Sequence, residues 1–269
     1  MTMRIIDGFD YLSGGSGGTL LPQGGWTLSN YSGGFSTSLT RFGYGASVAP
    51  SINNGAGSNG GGKFFEPYAE STEVFWAGAM YRNSSALAGC GPQIGVGEGV
   101  SSGCHLMVRM APAGQVVLYR GTDAGAMRNW SFVELAHSDP DLFDNYSWNW
   151  FECHAIIADS GGECEIRLNG KTVIHVIDEV TANQNASVPA YVNYGAFGAG
   201  GSDDFSCNID DFAVWDTDGT TCNDWLGTNR IKTMLAISNG DNIDSTIGGS
   251  SPAATNWQSV LNAAFNDTK

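Results

Sequence analysis

The stretch that decides the fold is WNWFECHAIIADSGGECEIRLNGKTVIHV, Trp148 to Val176. Its Asn169-Gly170 pair is flanked by alternating apolar residues, and Asn-Gly readily adopts the positive φ that a two-residue hairpin turn demands. The spacing predicts three antiparallel strands, about Trp148 to Ala158, Glu163 to Leu168 and Lys171 to Val176, with a turn at Asp159 to Gly162. Successive side chains on a strand point to opposite faces. Cys164, Ile166 and Leu168 therefore share one face and Glu163, Glu165 and Arg167 the other, giving the middle strand a core side and a wet side.

The same grammar extends in both directions. STEVFWAGAMYR, Ser71 to Arg82, is apolar on both faces, as in the middle of a sheet packed on both sides. PQIGVGEG and CHLMVRMAPAGQVVLYRG read as a meander with a turn at Ala111 to Gly114. RIIDGFDYL near the start reads as an edge strand, and short alternating runs fill Gly24 to Phe42. Ser47 to Gly62 reads as a loop. AYVNYGAFGAG and NIDDFAVWDTDG supply later strands, and RIKTMLAI reads as the final one. Beyond it the chain is turn-rich until WQSVLNAAF, whose apolar residues fall at helical spacing. The organisation expected is one all-β domain over residues 1–235 and a C-terminal segment over 236–269, either a short helix or an extended arm docking on a neighbouring subunit. Trp76, Trp150 and Trp215 are expected in the core.

Composition narrows the function. The 269 residues include 38 glycines and carry a net charge of −15, which repels phosphate backbones and anionic membranes. Nucleic acid is not an expected partner, nor is membrane insertion, since no apolar run approaches the roughly 18 residues a spanning helix needs. The start lacks the basic end and apolar stretch of a secretory signal, so the mature chain is expected to begin there. Cys90, Cys104, Cys153, Cys164, Cys207 and Cys222 form no Cys-x-x-Cys pair, and free buried thiols are expected in place of disulfides or zinc ligands.

NIDDFAVWDTDGTTCNDWLG, Asn208 to Gly227, packs five aspartates into 20 residues around two tryptophans. Strict alternation would place Asp211, Ala213 and Trp215 on one face and Asp210, Phe212, Val214 and Asp216 on the other. The nearest acids sharing a face would then be about 20 Å apart, too far for the alternating carboxylate pair of a retaining glycosidase. Asp216-Thr217-Asp218-Gly219 fails as an EF-hand loop, because the glycine stands at position four and no glutamate closes it. Asp203, Asp210 and Asp211 remain candidates for a rim Ca²⁺ site. The competing reading has Asp210 and Asp211 capping amides near Asp7 to Asp10. Glu163 and Glu165 alternate on a convincing strand, but Arg167 beside them favours ionised carboxylates rather than a general acid. No nucleophile elbow or phosphate loop appears, and the four histidines have no evident nucleophile partners. Tyr119, Trp130, Tyr146, Trp148 and Tyr194, in or beside predicted loops, are the candidate sugar platforms.

The three-strand unit followed by NIDDFAVWDTDG resembles the concanavalin A-like, laminin-G-like jelly roll of lectins and glucanases. MRIIDGFDYLS together with IDDFAVWDTDGTTCNDWLGTNRIKTML is similar to a group of tailed-bacteriophage structural proteins, a match over roughly Ile5 to Leu235. That resemblance implies two facing antiparallel sheets and a non-enzymatic virion protein on the exterior of the tail or capsid, assembled in the host cytoplasm. Its implied partners are other virion proteins, further copies of itself (a trimer being plausible) and a host-surface glycan. Two alternatives stand beside it: a dedicated receptor-binding lectin, and a glycan-degrading enzyme.

Overall fold

The computed structural model describes residues 3–9, 27–29, 32–36, 38, 40–42, 47–52, 63–67, 71–82, 91–97, 104–122, 132–183, 191–197, 205–217 and 224–227. All of them belong to one compact unit, Met1–Lys232. The expected strand from Arg230 and the arm over 236–269 lie outside the described residues, as do Trp130 and Asp203. Among the described residues no helix is long and apolar enough to cross a membrane.

Among the described residues fifteen strands appear in chain order: β1 Met3–Asp7, β2 Thr27–Ser29, β3 Ser32–Ser36, β4 Ser47–Ile52, β5 Lys63–Pro67, β6 Glu73–Arg82, β7 Gly91–Gly97, β8 Cys104–Met110, β9 Val116–Gly121, β10 Phe132–His137, β11 Trp148–Ile156, β12 Gly162–Leu168, β13 Lys171–Glu179, β14 Tyr191–Phe197 and β15 Phe205–Asp216. They form two antiparallel sheets. The eight-stranded sheet runs β13-β12-β11-β6-β15-β4-β3, with β1 also on β15; the seven-stranded sheet runs β10-β9-β8-β7-β14-β5-β2.

The unit that opened the sequence reading forms as expected. Asn169 and Gly170 both take positive φ, 51° and 83°, closing the β12–β13 hairpin. Cys164, Ile166 and Leu168 are buried in the core between the sheets, while Glu163, Glu165 and Arg167 face outward and are half-buried. Ile94 and Val96 of β7, Leu106, Val108 and Met110 of β8, and Val116 and Leu118 of β9 meet that core from the other sheet. The β8–β9 turn falls where the meander predicted, at Pro112–Gly114. Cys104, Cys153, Cys164 and Cys207 are buried free thiols. Trp76, Trp150 and Trp215 are buried.

Two expectations are corrected. Ser47 to Ile52, read as part of a loop, is strand β4 between β3 and β15. Pro50 has no N–H to donate, but β15 pairs with β4 only at Val48, Ser51 and Ile52, so the sheet tolerates the proline. The alternation assigned to β15 also fails. A bulge skips Asp211 in the register with β6, Asp210 pairing with Ala79 and Phe212 with Gly78, and Asp211 sits at φ 47°. Ile209, Phe212 and Val214 consequently all face the inter-sheet core, and Ala213 and Trp215 the outer face.

Glycine is demanded at Gly95, where a Cβ would lie 2.6 Å from the Leu106 carbonyl oxygen of β8. Backbone cannot yield as a side chain tip does, so Gly95→Ala forces β7 and β8 apart. The expected cost is about 1–3 kcal/mol, checked by the midpoint of urea unfolding.

Candidate functional site

The outer face of the seven-stranded sheet carries the cluster with the most chemistry. With Leu106, Val108 and Met110 turned to the core, Arg109 of β8 faces outward; Tyr119 of β9 and Gln93 of β7 do so by the same alternation. Gln93 is the direct cross-strand partner of Arg109. Tyr119 is aligned with Met107, diagonal to Arg109, within reach of long side chains. The Arg109 guanidinium donates to the Tyr119 hydroxyl and lies 4.5 Å from the centre of its ring. Burial raises the Tyr119 pKa above 10.0 and outweighs the lowering by Arg109, with Glu134 adding to the rise. The phenol therefore keeps its proton at neutral pH.

Beside it, β10 contributes Glu134, aligned with Tyr119, and His137, aligned with Val117. Residues three apart on a regular strand face opposite ways. A bulge between Glu134 and Ala136 restores them to one face, where His137 Nδ1 and Glu134 Oε1 are 2.7 Å apart. That bond fixes the imidazole and leaves Nε2 directed away from the carboxylate, the arrangement of an oriented proton acceptor. Across β7 the register continues the same two rows of positions. Gln93 aligns with Gly195 and Lys63, and Gly95 with Asn193 and Phe65. Lys63 is thus three strands from Arg109, about 14 Å.

The sequence-predicted sugar residues do not form one platform. Tyr119 lies within β9 rather than in a loop, against Arg109 and Phe132. Trp148 opens β11 on the outer face of the other sheet, its ring 5.5 Å from Tyr81. Tyr146, in the turn before β11, is exposed. Tyr194 lies within β14, where its backbone aligns with that of Ile94, a residue of the core. Gln93 and Arg109 were legible from alternation in PQIGVGEG and CHLMVRM. The Glu134–His137 pair was hidden by its bulge.

Asp210 and Asp211 hold Arg41. Its backbone N–H donates to Asp210 Oδ2 at 3.3 Å and its Nη1 to Asp211 Oδ2 at 3.0 Å. Among the described residues no group of three or more His, Cys, Asp or Glu could hold a metal ion. Glu165 accepts from Arg167 and Thr172. Burial pulls its pKa upward, but Thr172, Arg167 and His175 together bring it below its ordinary value, as the neighbouring arginine led us to expect.

Part of the outer face of the eight-stranded sheet, around Phe75, Glu152, His154 and Arg167, is covered by residues 225–227. Trp225 packs edge-on to Phe75 and His154, with the Arg167 guanidinium 3.9 Å from its ring centre. The Gly227 amide donates to Glu152 Oε1 at 2.8 Å, while the buried Oε2 has no partner among the described residues. Burial raises the Glu152 pKa above 4.5, ahead of the lowering by the Gly227 and Leu226 amides, Trp150 and Arg167. A carboxyl whose folded pKa is raised contributes stability that is full below the ordinary value and lost as pH rises through the raised one. Glu152→Gln keeps the acceptor and removes the charge. Its melting midpoint is expected to match wild type in acid and exceed it at neutral pH; a variant that melts lower throughout contradicts this account.

No protein-family model matches the chain, and no curated protein matches its sequence. Solved structures do match its fold. An alginate lyase from a Chlorella virus superposes with a TM-score of 0.56 at 14% identity, over 80% of this chain and 100% of that one. The cellulose-induced protein Cip1 gives 0.53 at 15% identity, over 79% and 97%. An endo-β-1,4-glucuronan lyase from the fungus Trichoderma reesei gives 0.50 at 13%, over 71% and 87%. The fold is the concanavalin A-like jelly roll, as the sequence resemblance implied. The same findings correct the expectation of a non-enzymatic phage structural protein: the matching structures include polysaccharide lyases, and nothing among them supports a phage origin.

Proposed function

We propose that the protein binds and cleaves a uronic-acid-containing polysaccharide on the outer face of the seven-stranded sheet, by β-elimination. The observation that carries this reading is the Gln93–Arg109–Tyr119 cluster flanked by Glu134 and His137, on a fold shared with an alginate lyase and a glucuronan lyase.

The chemistry begins with the proton on the carbon bearing the sugar carboxylate, which becomes acidic only when the carboxylate charge is neutralised. Arg109 and Gln93 supply a cation and an amide for that purpose. His137 Nε2 accepts the proton, with Glu134 holding the ring and offsetting the imidazolium charge. The electron pair forms the C4–C5 double bond, the C4–O4 bond breaks, and the departing oxygen takes a proton from Tyr119. The net charge of −15 opposes a polyanion at long range. Salt screens charges more than about 8–10 Å away, so recognition rests on groups in contact.

The test is incubation of the purified protein with alginate, glucuronan and other polyuronates, read by ultraviolet absorbance of the conjugated unsaturated product. Absorbance growing with time is expected. Binding of a polyuronate without any product replaces the enzyme with a lectin, and neither binding nor product overturns the reading.

A further inference from the structure

A second aromatic group lies on the other sheet, away from Arg109 and Tyr119. Tyr81 and Trp148 are direct cross-strand partners, both half-buried, with rings tilted by 55°. Two residues before Trp148, Tyr146 is 61% exposed at φ 66°, a region that a bulky side chain rarely adopts. The chain enforces that conformation. The Tyr146 amide donates to the Arg82 carbonyl at 3.0 Å. The buried Arg82 guanidinium donates to Asn145 Oδ1 at 3.1 Å and to the Ala111 carbonyl at 3.3 Å, and Ser147 Oγ donates to the Asp144 carbonyl at 2.7 Å. A strained turn that presents an aromatic ring to water points to a ligand for that ring. Asn145 uses its carbonyl oxygen on Arg82 and keeps its NH₂ uncommitted among the described residues.

We infer that Tyr146, two residues from the Trp148–Tyr81 pair, is a second carbohydrate platform that takes the C–H face of a neutral pyranose, with the Asn145 NH₂ donating to a ring hydroxyl. Aromatic faces with an adjacent amide suit a sugar. The exposed carboxylate of Asp144 beside them disfavours a uronate, so the ligand class differs from that of the proposed cleavage face. Such a platform anchors the protein to the neutral glycan in which an acidic polysaccharide is embedded. It goes beyond the proposed lyase reading, resting only on the protein being carbohydrate-active.

Affinity electrophoresis through gels containing hydroxyethylcellulose, xylan or galactomannan tests it, with cleavage of a short oligouronate measured in parallel. Retardation of the wild type by at least one neutral polymer is expected, together with a loss of tenfold or more in apparent affinity for Tyr146→Ala. Tyr146→Gly should lose binding equally while melting at a higher temperature, because glycine relieves the positive φ. Cleavage of the short substrate should be unchanged in both variants. No retardation by any neutral polymer, retardation only by polyuronates, or a Tyr146→Ala variant that migrates as wild type each overturns the inference. Retardation needs no turnover, so a protein that cleaves nothing leaves this measurement intact.

Discussion

Replacing Tyr119 with phenylalanine is expected to slow polyuronate cleavage by about 10²–10⁴-fold, the usual contribution of a positioned proton donor, with little change in substrate affinity. Phenylalanine keeps the ring, its contact with Phe132 and its position under the Arg109 guanidinium. Only the hydroxyl is lost, and with it the proton for the leaving oxygen. The pH profile separates this role from a packing role. Because burial raises the Tyr119 pKa above 10.0 despite the lowering by Arg109, the donor stays protonated through the neutral range. An alkaline limb above the ordinary phenol value is expected in wild type and should vanish in Tyr119→Phe. A variant that keeps both rate and alkaline limb removes Tyr119 from the chemistry and moves attention to Arg109 and His137.

The largest effect on stability is expected at Arg41. Its side chain is 9% exposed and that of Asp211 is 3% exposed, and the guanidinium is 4.6 Å from the ring centre of Trp150 and 4.8 Å from that of Phe42. Truncation to alanine leaves the buried carboxylate of Asp211 without the guanidinium that donates to it, while the backbone amide at position 41 can still donate to Asp210; removing one partner of a buried pair typically costs about 3–5 kcal/mol. Urea unfolding of Arg41→Ala measures it. The double variant Arg41→Ala with Asp211→Asn should recover part of the loss, because the abandoned charge is gone. A single variant within about 1 kcal/mol of wild type would show that neighbouring polar groups suffice for the Asp211 carboxylate.

The Arg41 contact also shows where sequence reasoning ran out. Asp210 and Asp211 were read as Ca²⁺ candidates or as caps for amides near Asp7 to Asp10, whereas the arginine they hold stands about 170 residues earlier in the chain, in a run that showed only strand alternation. Their geometry depends on a bulge, and a bulge shifts every later residue of a strand to the other face. The same device conceals Glu134 and His137, which strict alternation separates and the β10 bulge reunites. Arg109 was closer to view. Its own strand alternates cleanly, and the β9 residue that meets it follows from a short turn.

The phage resemblance illustrates a different limit. Residues such as Ile209, Phe212 and Val214 are chosen by the core they fill, so a late Ile-Asp-Asp strand identifies a sandwich and leaves its task open. A fold and a function are separable because the chemistry sits on outward positions that the core does not constrain.

By itself, the sequence determined what is local: an antiparallel β-sandwich, the Asn169-Gly170 hairpin, the two faces of β12, and the burial of Trp76, Trp150 and Trp215. These follow from the period of two along a strand and from turn chemistry, which act over a few residues. Only the tertiary structure decided the strand order, the bulges in β10 and β15, and the separation of Tyr119 and Trp148 onto different sheets. Each of those depends on which strand lies alongside. The row linking Lys63, Gln93, Arg109 and His137 crosses six neighbouring strands of one sheet, and pairing between distant segments is set by the packing of the whole core.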